Sequence, residues 1–374
     1  MKIAIIGTRG IPNHYGGFEQ FAEYLSKYLV QEGQEVTVYN SHMHPYQESN
    51  WMGVDIVHCK DPEDKIGTAG QFIYDLNCIR DARKRDFDMI LQLGYTSSSV
   101  WGRLLPKKAV IITNMDGLEW KRSKFGKNVR RFLKKAEKLA VKTSDYLIAD
   151  SVGIQQYLQK KYNVRSHYIP YGANLFTKPD ESFLEQYNLL PNNYDMLVAR
   201  LEPENSIEII LDGVAKAAGD RPFLVVGKHE TKFGEYLKEK FRHCEKIRFL
   251  GGIYDIETLN NVRCFSNIYF HGHTVGGTNP SLLEAMASQA FICANDNIFN
   301  KAILEGDALY FRTSKDVQKT IESYVKESPN AQKMLQANDE KILRLYSWDI
   351  INKAYLQLIE ECLYRSSKRN LKYL

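Results

Sequence analysis

Residues 268–287 read IYFHGHTVGGTNPSLLEAMA, and this stretch decides the fold. It is a short apolar strand, then a loop carrying Gly276 and Gly277, then the opening of a helix. Asn279 is a good N-cap, because its side-chain oxygen can take a backbone N–H of the first turn. Pro280 suits the first helical position, where its missing N–H would have had no partner. Leu282, Leu283, Ala285, Met286 and Ala287 carry the helix on. Free N–H groups and the positive end of the helix dipole face whatever lies over Gly276, Gly277, Thr278 and Asn279, and phosphate suits that place best. Glu284 falls about one turn further in, where a carboxylate can accept hydrogen bonds from a hydroxyl or vicinal diol. Phosphate and sugar hydroxyls together indicate a nucleotide. The plain alternative is a capped helix with an exposed glutamate.

The start of the chain has a related plan. Residues 2–6 form a buried strand, followed by GTRGIPNHYGGFE with Gly7, Gly10, Gly16 and Gly17 in one long loop. Phe18, Phe21, Ala22, Leu25, Tyr28 and Leu29 then recur at helical spacing, Gly33 closes the helix, and residues 35–39 form the next strand. Strand, glycine loop, helix and strand make a parallel α/β opening. The loop is not GxGxxG, and Asn40 stands where a dinucleotide-binding fold carries an acid, which weighs against a dehydrogenase. Further strands at 89–93, 110–113 and 146–149 run into the loops GYTSSS, NMDGLEW and DS. Ligands of open α/β sheets bind at the carboxyl ends of strands, so Tyr95, Thr96, Asp116, Glu119 and Ser151 are expected at one edge. Asp116 is placed to orient or polarise an incoming hydroxyl, with a simple turn role as its alternative.

Residues 176–193 are rich in Pro, Asn and charge, and the domain boundary is expected there, leaving 1–175 and 193–346 as domains. The second half starts over, with strands at 196–199, 223–226, 247–250 and 267–270 and a helix over 206–218. Arg200 follows the first of these strands directly, where a guanidinium can grip two phosphate oxygens, and Lys228 is a second cation at an equivalent edge. Residues 347–364 form a terminal helix followed by a polar, basic tail.

Residues 121–142 hold ten basic residues, Lys124 among them, against the single acid Glu137, although the whole chain carries only +5. Val129, Phe132, Leu133, Ala136 and Ala140 fall on one helical face and the cations on the other, the pattern of a helix that docks on an anionic membrane surface. A solvated face packed on its own domain is the alternative. The patch is confined to one helix and matches no nucleic-acid module, so no nucleic-acid partner is expected.

With 374 residues, 44% hydrophobic and 25% charged, the chain has room for two domains and no composition of disorder. Six scattered cysteines without CxxC argue against a zinc site or a disulfide framework and fit a cytoplasmic protein. The N-terminus reads as a first strand rather than a signal peptide, and no apolar run approaches the ~20 residues a membrane span needs.

Taken together, GTRGIPNHYGGFE, TNMDGLEW, ARLEPEN, HTVGGTNPSLLEAM and YSWDIINKAY resemble retaining nucleotide-sugar glycosyltransferases of the GT-B fold, glycosyltransferase family 4, and more narrowly a rhamnosyltransferase branch of cell-surface polysaccharide synthesis. The resemblance runs across essentially the whole chain. It implies an α/β protein of two Rossmann-like domains facing each other across a cleft, with the terminal helix crossing back to the first. It further implies that Gly16 and Gly17 approach the donor diphosphate, Arg200 neutralises it, Glu284 holds the nucleoside sugar, and Tyr254 after Gly251 and Gly252 meets the nucleobase. Lys228 and the loop 276–279 complete the donor side, with Tyr95, Thr96, Asp116 and Glu119 on the acceptor side. No metal or other cofactor is implied; the partners are a nucleotide sugar and a lipid-linked glycan. The chain departs from the family pattern at three places. Gly276 stands where a second glutamate is usual, Asn205 where many members have lysine, and Asp116 where histidine is usual. The first departure fits a 6-deoxy-L-sugar such as L-rhamnose from dTDP-rhamnose. A UDP-hexose donor, or a nucleotide-sugar binding protein without turnover, are the rival expectations.

Overall fold

The computed structural model describes residues 1–122 and 125–371. They divide into two compact units. The first holds Met1–Trp120, Gly126–Tyr171 and the helix from Trp348 on; the second holds Gly172–Ser347 with Lys121, Arg122 and Phe125.

The first unit is built on an eight-stranded sheet of β1 (Lys2–Ile6), β2 (Glu35–Ser41), β3 (Asn50–Trp51), β4 (Val54–Cys59), β5 (Met89–Leu93), β6 (Val110–Asn114), β7 (Tyr146–Ala149) and β8 (His167–Tyr168), in the order β3-β4-β2-β1-β5-β6-β7-β8. Every pairing is parallel except β3 with β4. Ile3 lies opposite both Val36 and Met89, so β1 is paired along both edges, and its residues from Ile3 to Ile6 are all buried, which covers both faces and makes it an unbroken apolar run. The winding goes outward from β1 through β2, then reverses to place β5 on the other side of β1. Loops leaving the two sides of such a reversal diverge and open a crevice at the carboxyl edge.

The terminal helix Trp348–Leu371 belongs to this unit and is held by aromatic contacts. Trp348 stacks on Tyr24 at 4.5 Å and Tyr355 meets Phe21 at 4.8 Å, while the Tyr355 hydroxyl accepts from Asn114 Nδ2 at 3.1 Å. Residues 372–374 of the basic tail lie outside the described residues.

The second unit has a six-stranded parallel sheet of β9 (Asp195–Val198), β10 (Phe223–Val226), β11 (Ile247–Gly251), β12 (Ile268–His271), β13 (Ile292–Asn295) and β14 (Leu309–Phe311), ordered β11-β10-β9-β12-β13-β14. It reverses direction between β9 and β12. Leu197, Phe223, Val225, Phe270 and Cys293 make its core with Ile210, Leu211 and Val317 from the flanking helices.

The division between the units falls at Tyr171 and Gly172, ahead of the expected boundary over 176–193. The reason is local: Phe176 N–H bonds to the Ala287 carbonyl at 2.8 Å, Asp180 N–H bonds to Asn261 at 2.7 Å and Leu184 is buried, so this polar stretch is part of the second unit.

The basic stretch is also shorter as a helix than its composition implied, spanning Lys127–Thr143; Lys124 lies outside the described residues. Leu133, Ala136 and Ala140 are buried as read, but Val129 is exposed and Glu137 faces inward. The Glu137 carboxylate accepts from Trp120 Nε1 at 3.1 Å, Tyr157 at 2.8 Å, Lys161 at 2.7 Å and Tyr162 at 2.6 Å. All six cysteines are free thiols.

Candidate functional site

In the second unit the two loops flanking the reversal are those leaving β9 and β12. Arg200 follows β9 and is exposed. Its backbone carbonyl accepts from Asn205 Nδ2 at 2.7 Å, so Asn205 acts as a neutral clasp on the arginine loop rather than a second cation. Thr274, in the loop after β12, donates from its N–H at 3.2 Å and its hydroxyl at 2.7 Å to the Glu204 carbonyl. The two loops are thus tied to each other. Their approach demands glycine, since a Cβ on Gly272 would stand 2.0 Å from the Asn205 oxygen; likewise, where the loop after β10 meets the arginine loop, a Cβ on Gly227 would stand 1.9 Å from the Ala199 oxygen.

Beyond Thr274 the chain passes Gly276, with φ +134°, then half-buried Gly277 and buried Thr278, into the Pro280–Ala287 helix. Asn279 caps it as read, its Oδ1 accepting from Ser281 N–H at 3.0 Å, with Pro280 in the first turn. Leu282, Leu283, Ala285 and Met286 anchor the helix in the core, which fixes the direction of its N-terminus.

Glu284 sits on the remaining face, 19% exposed, with Arg263 Nη2 2.8 Å from its carboxylate. Arg263 comes from the Ile256–Cys264 helix and is only 1% exposed. Its Nη1 also donates to Asn260 Oδ1 at 3.2 Å, while its Nε is buried without a partner among the described residues. A guanidinium so enclosed fixes the direction of the Glu284 carboxylate at the partly exposed end of the pair.

His271 and His273 lie beside this pair. Their rings stack at 4.4 Å with planes 17° apart. Burial pushes both imidazoles down; Arg263 adds to the effect at His271, and Arg200 and Arg122 help bring His273 to about 3. Both rings are neutral near pH 7. Arg263, His271 and His273 were not recognised in the sequence, although the HGH spacing and an arginine in NNVRC were visible there.

Lys228 is exposed after Gly227, and Tyr254 is 85% exposed with its ring over Gly252. Among the described residues, no hydrogen bond or ion pair joins either to Arg200 or Glu284.

In the first unit, the loops after β1, β5 and β6 meet at the carboxyl edge. A Cβ on Gly94 would reach the Phe18 ring at 3.3 Å, and the Tyr95 hydroxyl donates to the Gly117 carbonyl at 3.5 Å. Tyr95 is buried, and burial with the nearby acids Glu137, Glu119 and Asp116 pushes its phenol up. Asp116 is half-buried at φ +48°, its N–H bonded to Asn114 Oδ1 at 3.0 Å. Thr96 and Glu119 are half-buried nearby in the chain, whereas Ser151 is buried and caps the Val152–Tyr162 helix.

Gly16 is the N-cap of the Gly17–Gln31 helix, but its backbone is extended, with φ −172°, a conformation open to any residue. The glycines this loop needs are Gly7 and Gly10, at φ +89° and +132°, where a Cβ would meet the Leu93 oxygen at 2.3 Å and the Asn40 side chain at 2.4 Å. Asn40 binds both backbone groups of Ile11, at 3.0 and 2.8 Å, and Glu19 accepts from Arg9 N–H at 2.8 Å. Asn40 therefore fastens the first loop. Among the described residues, no three His, Cys, Asp or Glu side chains gather in a way that could hold a metal ion.

Residues 1–174 match the family model described as a domain of unknown function, DUF1972. No curated protein matches the sequence. Solved structures of the same fold include sucrose-phosphate synthase (tll1590) from Thermosynechococcus elongatus, 16% identical, with TM-score 0.78 over 97% of this chain and 99% of that one. Alr3699/HepE from Anabaena in complex with UDP is 15% identical, with TM-score 0.73 over 96% of this chain and 100% of that one. WaaG, a glycosyltransferase involved in lipopolysaccharide biosynthesis, is 11% identical, with TM-score 0.68 over 95% of this chain and 98% of that one. With its two parallel-sheet units, the chain has the GT-B fold of these glycosyltransferases.

Proposed function

We propose that this chain is a retaining glycosyltransferase that moves L-rhamnose from dTDP-rhamnose onto a lipid-linked glycan in cell-surface polysaccharide synthesis, working in the cytoplasm at the membrane face. The observation that carries the reading is the pairing of loops at the reversal of the second sheet. Arg200 follows β9, while the glycine loop and capped helix bearing Glu284 follow β12. Arg200 and the helix N-terminus take the donor diphosphate, and Glu284, aimed by Arg263, takes the hydroxyls of the nucleoside sugar.

In the reaction the bond from the anomeric carbon to the phosphate oxygen breaks, and the acceptor oxygen bonds to that carbon on the same face. The acceptor proton passes to the leaving phosphate. Charge growing on the diphosphate meets Arg200 and the backbone N–H groups before Pro280, without a metal. Asp116, with Tyr95, Thr96 and Glu119 near it in the first unit, positions the acceptor.

The donor sugar is inferred from Gly276, which leaves the sugar hydroxyls without a second carboxylate. A UDP-hexose is the second reading, favoured by the UDP-glucose in an Alr3699/HepE structure with TM-score 0.73. The cations of the Lys127–Thr143 helix supply the membrane contact. No helix among the described residues is long and apolar enough to cross a bilayer.

The test is a panel of nucleotide sugars with lipid-linked acceptors, run with and without a chelator. Turnover of dTDP-rhamnose that survives chelation and falls about 100-fold or more in Arg200→Ala supports the reading. Near-normal turnover in that variant refutes the assignment, and turnover of UDP-sugars alone replaces the donor. Changing Lys134, Lys135 and Lys138 to Gln weakens binding to anionic vesicles; unchanged binding removes the membrane contact.

A further inference from the structure

We propose that His273 is a diphosphate-binding residue of the donor site, its ring donating a hydrogen bond from Nε2 to a phosphate oxygen. The inference rests on the donor-site reading of the second unit and adds a residue to it.

The ring is oriented from several sides. Its face lies on His271 at 4.4 Å, and its own carbonyl accepts from Asn297 Nδ2 at 2.9 Å and Asn300 Nδ2 at 3.2 Å. Its Nδ1 is buried with no partner among the described residues, while the residue as a whole is half-buried. A neutral imidazole carries one N–H, and placing it on Nε2 puts the donor where an acceptor can reach it.

The surroundings specify the charge of that acceptor. Arg200 and Arg122 both act on the ring electrostatically, and the loop that starts at His273 ends in the N-terminus of the Pro280–Ala287 helix. Two guanidinium groups and a helix N-terminus around a neutral donor favour an anion with several oxygens. Of the groups in a nucleotide sugar, only the pyrophosphate has that chemistry.

The ring also offers what a third cation would not. A neutral donor can bond to the diphosphate before and after the sugar leaves without adding repulsion to Arg200 and Arg122. His271 beneath it is fully enclosed, with both ring nitrogens unpaired among the described residues. It supports the ring and cannot itself reach a ligand.

The experiment is calorimetric titration of the full chain with UDP and dTDP, with uridine and thymidine as controls lacking phosphate. Inorganic pyrophosphate is the control lacking a nucleoside. His273→Ala is expected to weaken the preferred nucleoside diphosphate, and pyrophosphate with it, about tenfold, the scale of one hydrogen bond to a charged group. Nucleoside affinity stays within about twofold. His273→Gln, whose amide N–H can reach the same oxygen, restores most of the loss.

Three results would overturn the inference. Unchanged diphosphate binding in His273→Ala, with binding lost in Arg200→Ala, removes His273 and leaves the donor site standing. Equal weakening of nucleoside and diphosphate makes the ring a packing element. Failure of both UDP and dTDP to bind the unaltered chain, or no effect of Arg200→Ala, removes the donor site and His273 together.

Discussion

Arg263 and Glu284 form an unequal pair, and the inequality predicts which of the two is costlier to neutralise. Arg263 is 1% exposed and Glu284 is 19% exposed, at 2.8 Å. Glu284→Gln leaves a guanidinium in the interior facing a neutral amide, and an uncompensated buried charge costs about 3–5 kcal/mol. Arg263→Met removes the cation and with it the buried Nε that has no partner among the described residues, a group that itself costs about 1–3 kcal/mol to bury. Glu284, left behind, can turn toward solvent. Against that relief stand the lost bonds to Asn260, about 1 kcal/mol, and to the Glu284 carboxylate, about 2–3 kcal/mol, so the arginine change comes to about 1–2 kcal/mol. The double change Arg263→Met with Glu284→Gln therefore costs less than Glu284→Gln alone, by about 1–2 kcal/mol. Urea unfolding of the three variants, followed by a signal assigned to the second unit, closes the cycle. Strict additivity, or Glu284→Gln proving the milder single change, would refute the account of Arg263 as a clamp on Glu284.

Three further outcomes are open to measurement. Glu137→Gln removes the anion on which Trp120, Tyr157, Lys161 and Tyr162 converge and is expected to lower stability of the first unit by about 3 kcal/mol, read by urea midpoint. Because burial keeps His271 and His273 neutral in the folded state, their contribution is complete above the unfolded value of about 6.5. It is lost as pH falls toward 3, when the unfolded chain takes up protons that the folded chain does not. The urea midpoint should drop between pH 7.5 and 5, and drop less in His273→Gln. Asn205→Ala frees the Arg200 carbonyl and should cost about 1 kcal/mol of stability, and calorimetry should find nucleoside diphosphate binding weakened while nucleoside binding holds.

The sequence made the strand ends legible and the side-chain partnerships obscure. β1, β5 and β12 are largely apolar runs stopped by Gly7, Gly94 and Gly272, and the apolar run of β9 ends in the charged stretch from Arg200, so Arg200 and the loop 276–279 could be placed from local pattern. Asn279 and Pro280 wrote the helix start in two letters. Arg263 left no such sign, because its meeting with Glu284 is made by two helices separated by a strand. Glu137 stood in a basic run and read as its lone surface acid, yet its partners come from the next helix and from Trp120. The Lys232–Lys240 helix was missed because nine residues hold too few helical repeats to declare a face. The polar linker reading of 176–193 failed for a related reason: its polar groups are satisfied by the second unit, a fact composition does not carry.

The glycine contacts between the loops after β9, β10 and β12 bear on how the protein could change over time. A Cβ at Gly227 or Gly272 would fall within 2.0 Å of a backbone oxygen, so the loops have no slack there to be respaced or lengthened. Any drift toward another sugar has to proceed by exchanging side chains on an unchanged frame, and even Gly276, where a Cβ would find nothing within 4 Å, resists exchange because its φ of +134° suits glycine alone.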